Sequence, residues 1–156
     1  MKGAVVFYSR WGNGRQVAEQ IAKGLEQSGH EVSLLDLKIS PGLPTDYTEF
    51  LIAGSPTRAG KMAGPMKRFI KELDDNWKGK PFTAFGTGYM RWRDTSKLSS
   101  DSIQEELEEK GLQALAKPLR IGVEHTRGPL AEGEPERALI FGQRIGAALK
   151  ERWPVL

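Results

Sequence analysis

The chain contains no cysteine. Disulfides, thiolate nucleophiles and Cys-based iron–sulfur or zinc sites are therefore excluded. Only two histidines are present, His30 and His125. His30 stands at the entry to a strand and reads as structural or exposed, and His125 lies in a late loop. No histidine, carboxylate and hydroxyl share a spacing that suggests a hydrolytic triad. Long apolar runs are missing too: Met1-Lys2-Gly3-Ala4 leads straight into a short strand, without the stretch of a signal peptide or membrane span. A cytoplasmic protein is the expectation. Neither sign of charge dominates, with 23 Lys and Arg against 20 Asp and Glu and a net charge of +3. The two signs are interspersed, which argues against a nucleic-acid stripe. The length of 156 residues suits a single domain over 1–156 with an adequate core.

What is present is organised around Val5-Val6-Phe7-Tyr8-Ser9-Arg10-Trp11-Gly12-Asn13-Gly14-Arg15. The run from Ala4 to Tyr8 is uncharged, β-branched and aromatic, as in a strand buried on both faces of a parallel sheet. Val17, Ala18, Ile21, Ala22 and Leu25 then recur at helical spacing, so a helix begins near Gly14. Its first turn leaves N–H groups unpaired at the positive end of the dipole, a natural seat for an anion. The Ser9 hydroxyl, the Asn13 amide and the N–H groups from Arg10 to Arg15 are placed to meet one phosphate. A Walker-type loop fails, because no Lys-Ser or Lys-Thr follows the glycines. The dinucleotide pattern is half met: Gly12 and Gly14 are present and Asp36 is at a suitable distance, but Val17 replaces the third glycine.

Further along, short apolar runs alternate with helical patterns. Gly29 closes the first helix; Glu31 to Leu37 reads as the second strand and Ile39 to Pro44 as an irregular link. Phe50 to Gly54 is the third strand. A helix opens at Pro65 and presents Met66, Phe69, Ile70 and Leu73 on one face. Pro81 to Phe85 is the fourth strand. Ser102 and Glu105 form a capping box for a helix that ends at Gly111. Leu119 to Val123 is the fifth strand, and a last helix runs from about Pro135 to Lys150. Strand alternating with helix five times gives an α/β fold, a parallel sheet covered on both faces. Ligands bind such sheets beyond the carboxyl ends of the strands, where the strand order reverses.

Two loops at that edge are unusual. The segment from Gly54 to Lys67 is longer than an ordinary strand-to-helix turn, and Gly54, Gly60 and Gly64 permit it to fold around a planar guest. The segment Gly86-Thr87-Gly88-Tyr89-Met90-Arg91-Trp92-Arg93 places two aromatic rings beside glycine-flanked backbone. Together they offer stacking on a flat heterocycle and hydrogen bonds to its edge.

The phosphate loop followed by Val17-Ala18, the Gly54-Ser55-Pro56-Thr57 segment with Gly64-Pro65-Met66-Lys67-x-Phe69 after it, and Phe85-Gly86-Thr87-Gly88 together resemble the flavodoxin superfamily. The segment from Gly54 to Phe69 looks most like the flavodoxin-like NAD(P)H:quinone oxidoreductases. The resemblance implies a flavodoxin-like three-layer sandwich, a five-stranded parallel sheet of order 2-1-3-4-5, one non-covalent FMN and redox chemistry at its ring. Carried over by motif, Ser9, Arg10, Trp11, Gly12, Asn13 and Gly14 would hold the phosphate. Ser55, Pro56, Thr57 and Arg58 would lie beside the ribityl chain and inner ring face, and Thr87, Gly88, Tyr89 and Trp92 would cover the other edge and face. The family usually has hydroxyl residues where this chain has Trp11 and Gly14, so two donors are missing, offset by the charges of Arg10 and Arg15. Flavodoxins also typically surround the flavin with acids, whereas these loops supply Arg10, Arg15, Arg58, Lys61, Arg91 and Arg93, with Asp94 the only acid close by.

Three functions follow. The first is an FMN-binding electron carrier that serves a redox partner protein or a small-molecule electron acceptor. The second is an FMN-dependent NAD(P)H:quinone oxidoreductase, for which the basic rim would receive NAD(P)H. The third, motivated by the missing hydroxyls, is a flavin-free binding or regulatory domain. Each residue also has a plainer reading: Trp11 and Trp92 as shields of apolar surface, Arg58 and Arg91 as solvated charges, Ser9 and Thr57 as caps of their own turns. Met62, Met66 and Trp77 suit either a subunit contact or ordinary packing.

Overall fold

The computed structural model describes residues 1–40 and 47–152. The link expected from Ile39 to Pro44 falls mostly on 41–46, outside the described residues. The elements are β1 (Lys2–Phe7), α1 (Asn13–Gln27), β2 (Glu31–Asp36), β3 (Phe50–Pro56), α2 (Gly64–Lys71), β4 (Pro81–Tyr89), α3 (Ser99–Glu109), β5 (Gln113–Ala114), β6 (Leu119–Val123) and α4 (Glu134–Arg152). All strand pairings are parallel and the sheet runs β2-β1-β3-β4-β5, the order expected from the resemblance.

The fifth sheet position departs from expectation in detail. The strand expected at Leu119–Val123 is β6, and the two-residue β5 precedes it along the same neighbour. β5 lies beside Pro81 and Phe82, and β6 beside Phe85 to Tyr89. Pro118, which has no N–H to give a ladder, stands immediately before β6. Strands three and four also run further than the sequence pattern indicates, because Ser55 stays in register with Gly86 and Pro56 with Thr87. Ser55, Thr87 and Tyr89 are thus presented by strand ends.

Side chains alternate across the sheet. Val5, Phe7, Ile52, Phe85 and Ile121 face α1 and α4 through Val17, Ile21, Leu25, Ile145 and Leu149. Val6, Leu51, Ala53 and Phe82 face α2 and α3 through Met66, Phe69, Ile70, Ile103 and Leu107. Each large side chain so buried contributes about 1.5–3 kcal/mol. Met62, Met66 and Trp77 are buried in this second layer, so ordinary packing is their role. His30 is buried as well, with Nε2 at 2.9 Å from the Gly146 carbonyl and Nδ1 at 3.1 Å from the N-terminal amine. One glycine is fixed by the core itself: a Cβ on Gly54 would lie 2.0–2.2 Å from three ring atoms of fully buried Phe85.

The expected capping box is corrected. α3 begins at Ser99, three residues earlier than Ser102, and the Asp101 carboxylate accepts from the Leu98 N–H at 2.8 Å. Ser102 is inside the helix, where its hydroxyl donates to the Ser99 carbonyl and accepts from the Met62 N–H. It ties the second loop to the helix.

Candidate functional site

The carboxyl ends of β1, β3, β4 and β6 converge on one cavity of about 390 Å³. The connection from β1 to α1 forms its inner end. Gly12 takes a left-handed φ of 93° and caps the helix. The Ser9 hydroxyl accepts from the Gly12 N–H at 3.1 Å and the Arg15 N–H at 3.2 Å, which leaves its own proton to donate. Among the described residues the N–H groups of Arg10, Trp11, Asn13 and Gly14 make no hydrogen bond. Donors without partners in the first turn of a helix and the loop just before it are a seat for an anion.

The second wall comes from β3. The Thr57 N–H donates to the Thr87 carbonyl at 2.9 Å, and the Thr57 hydroxyl accepts from the Ser99 N–H at 2.9 Å. Arg58 and Lys61 exchange two backbone hydrogen bonds around Ala59 and Gly60, both at positive φ, so the long loop starts as a tight turn. Ser55 accepts from the Ala63 N–H at 2.8 Å and is spent holding this loop.

The third wall is aromatic. Tyr89 and Trp92 meet edge to face, ring centroids 5.6 Å apart, and the Tyr89 hydroxyl is 2.5 Å from the Thr126 hydroxyl oxygen. Thr126 belongs to the connection from Glu124 to Gly133, between β6 and α4. That connection folds back on the site: Glu124 and Ala131 N–H groups donate to Pro129 and Gly122, Arg127 lies 4.5 Å from the Trp11 ring centroid, and a Cβ on Gly128 would meet the Asn13 side chain at 2.6 Å.

Of the fourteen residues assigned from sequence, Ser9, Arg10, Trp11, Asn13, Gly14, Pro56, Thr57, Arg58, Thr87, Gly88, Tyr89 and Trp92 line this cavity. Gly12 and Ser55 do not: one caps the helix and the other braces the second loop. Tyr8, Ala59, Gly60, Val123, Thr126 and the segment Ser96–Leu98 line it without having been assigned. Ser96 to Leu98 are held there by Arg120, which donates to the Ser96 and Arg93 carbonyls and to Asp101. No local pattern announces that contact, since Arg120 is on β6.

The expected ring of six cations is also corrected. Arg15 is paired with Asp36, and Arg93 with Asp94 at 2.9 Å and Glu134 at 3.0 Å, so Asp36 and Glu134 pair with these cations besides the Asp94 that was expected. The Asp94 hydrogen bond raises the affinity of Arg93 for its proton, against partial desolvation. The same bond holds the Asp94 carboxyl below the usual carboxylate range. Glu134 is 1% exposed and also accepts from Arg137 and from the Gly122 N–H at 2.7 Å.

A doubly wound parallel sheet with an anion-ready helix N-terminus and an aromatic-walled cavity at its carboxyl edge defines the flavodoxin-like class. The chain belongs to the flavodoxin family, whose model matches residues 5–134. It is 30% identical over 160 residues to the flavodoxin of Clostridium saccharobutylicum, covering 97% of this chain and 99% of that protein. A solved flavodoxin from the domain Archaea superposes with a TM-score of 0.79 at 27% identity, over 96% of this chain and 99% of that one. An NAD(P)H dehydrogenase (quinone) of Brucella abortus (strain S19) is 30% identical over 98 residues, 49% of each chain. Family membership implies a flavin cofactor and flavodoxin-type electron transfer. Among the described residues no helix is long and apolar enough to cross a membrane.

Proposed function

We propose that this protein is a cytoplasmic, FMN-binding electron carrier that passes electrons to a partner protein or a small acceptor. The observation that carries the reading is the set of unpartnered N–H groups at Arg10, Trp11, Asn13 and Gly14, at one end of a cavity walled by Tyr89 and Trp92 at the other. The donor set fits a phosphate monoester: the Ser9 proton adds a donor and Arg10 a charge, where the Trp11 and Gly14 positions lack hydroxyls. The walls fit a flat, amphipathic ring system, with Thr87 and Tyr89 as polar groups beside apolar surface. Bound FMN would supply the redox chemistry, and the protein sets orientation and electrostatics.

Arg10 and Arg58 face the cavity without an acidic partner among the described residues, so they favour the more negative, reduced cofactor, by about 1 kcal/mol per charge at a few ångströms. Neutralising Arg58 should lower the two-electron midpoint; an unchanged midpoint in Arg58→Gln contradicts this tuning. The test of the main reading is an absorbance and fluorescence titration with FMN, using riboflavin as phosphate-free control. Tight FMN binding with quenched fluorescence and much weaker riboflavin binding is expected. Protein that stays colourless in excess FMN would turn the reading to a flavin-free binding domain.

An FMN-dependent NAD(P)H:quinone oxidoreductase is the second reading. It is favoured by the similarity of about half the chain to the Brucella protein and by the basic residues at the cavity mouth. Saturable NAD(P)H oxidation coupled to quinone reduction would establish it.

A further inference from the structure

We propose that the mouth of the cavity is a docking surface for an acidic protein, which meets uncommitted cations arranged about two exposed indoles. The inference rests on the electron-carrier reading and names the chemistry of the partner. Among the described residues Arg10, Arg58, Lys61, Arg91 and Arg127 make no ion pair. They come from the four connections that follow β1, β3, β4 and β6, and each lines the cavity or adjoins a residue that does. Three of them are positioned by aromatic rings: Arg10 and Arg127 lie 4.9 and 4.5 Å from the Trp11 centroid, and Arg91 lies 4.6 Å from that of Trp92. A cation already stacked has less rotamer freedom to lose on association.

The indoles themselves stay open, Trp11 at 42% and Trp92 at 47% exposure. The nearby acids are committed, Asp36 to Arg15 and both Asp94 and Glu134 to Arg93; on the connection that carries Arg127, Glu124 and Glu132 make no ion pair among the described residues. Exposed tryptophan with arginine is the composition of protein interface hot spots, and a field of one sign steers an oppositely charged partner. A nucleotide's phosphates would draw cations to one or two points, whereas these are distributed over four connections.

A short fluorescein-labelled poly-L-glutamate peptide and NADPH are titrated separately into FMN-incubated protein and followed by anisotropy and backbone amide shifts. Poly-glutamate should bind, shift amides at residues 58–61, 91 and 127, and lose about tenfold in affinity from low to physiological salt. The variant Lys61→Glu/Arg91→Glu/Arg127→Glu takes the net charge from +3 to −3, two units for each of three reversals, and should abolish binding. Lys23→Glu/Lys117→Glu/Arg144→Glu makes the same change on residues that neither line the cavity nor adjoin a residue that does, and should retain most of it. No binding of poly-glutamate, equal loss in both variants, retention in the first, or NADPH in place of poly-glutamate shifting the rim amides each overturns the proposal. FMN absorbance in the same samples reads the cofactor separately. Colourless protein that binds poly-glutamate through the rim supports the docking surface and overturns the flavin reading.

Discussion

Ser9, Asn13 and Thr87 on the cavity floor are at most 8% exposed, whereas Trp11 and Trp92 on its rim are 42% and 47% exposed. The floor is made by backbone: strand ends in register, a glycine-capped helix, and a hydroxyl that receives two N–H groups. The rim is made by long side chains that reach it from distant elements, as Arg120 reaches Ser96 and Arg127 reaches Trp11. The difference gives the floor a framework of backbone contacts and the rim its exposed charge; in the readings proposed above the floor would seat the cofactor and the rim would meet a partner. Changes on the floor should therefore cost folding energy, and changes on the rim should leave folding nearly untouched.

The largest effect belongs to the floor. Gly54→Ala places a methyl 2.0–2.2 Å from the Phe85 ring, which is packed between β-strands and α1 and has nowhere to go. A loss of about 3 kcal/mol or more is expected, at the upper end of overpacking costs, and urea unfolding measures it. A loss near zero would mean the strand ends are loose, and the contrast with the rim would fail.

Next comes Glu134, a buried charged group beneath the rim. Glu134 accepts from Arg93, Arg137 and the Gly122 N–H, so Glu134→Ala leaves that N–H unpaired and takes one partner from each guanidinium, Arg93 keeping Asp94 and Arg137 the Arg120 carbonyl. About 2 kcal/mol should be lost, since both arginines keep some solvent contact. Trp92 fluorescence should change as well, because Arg93 anchors its segment.

The fold and the floor were legible because their signals are local. The apolar run Ala4–Tyr8 and the glycines at 12 and 14 act within a few residues of themselves, and alternation of strand and helix leaves few topologies. The rim was legible only as composition. That Arg15 is neutralised, that Arg93 also reaches buried Glu134, and that Thr126 closes on Tyr89 depends on residues 21 to 41 positions away in sequence. Ser102 misled for the related reason that its Glu three residues on imitates a cap, while Asp101 makes the actual cap bond to Leu98. Ser55 has a second role that the motif does not announce, because a hydroxyl in a binding motif also serves to brace the loop that carries it.

Ser9→Ala tests the floor at a smaller scale. The Gly12 and Arg15 N–H groups lose their acceptor, at a cost of about 1 kcal/mol, as for a helix cap. FMN affinity should fall more steeply than stability, since a phosphate would lose a donor and the loop its brace. Equal losses in a paired denaturation and flavin titration would reduce Ser9 to a cap.

The smallest effect is at Asp94, and it isolates what exposure does to one interaction. Arg93 holds two carboxylates, Glu134 at 1% exposure and Asp94 at 68%. Because hydrogen bonding to Arg93 lowers the Asp94 pKa on folding, whatever stability that pair contributes is present above the unfolded carboxylate value of about 3.9 and is lost as pH falls through the lower folded value. Asp94→Asn should therefore match the parent protein in strong acid and differ from it only slightly near neutrality, the more so in high salt. Glu134 keeps Arg93 in place, so the Trp92 signal should not move. If Asp94→Asn instead unfolds the protein as readily as Glu134→Ala at neutral pH, the rim is part of the folded framework and the separation of floor from rim is wrong.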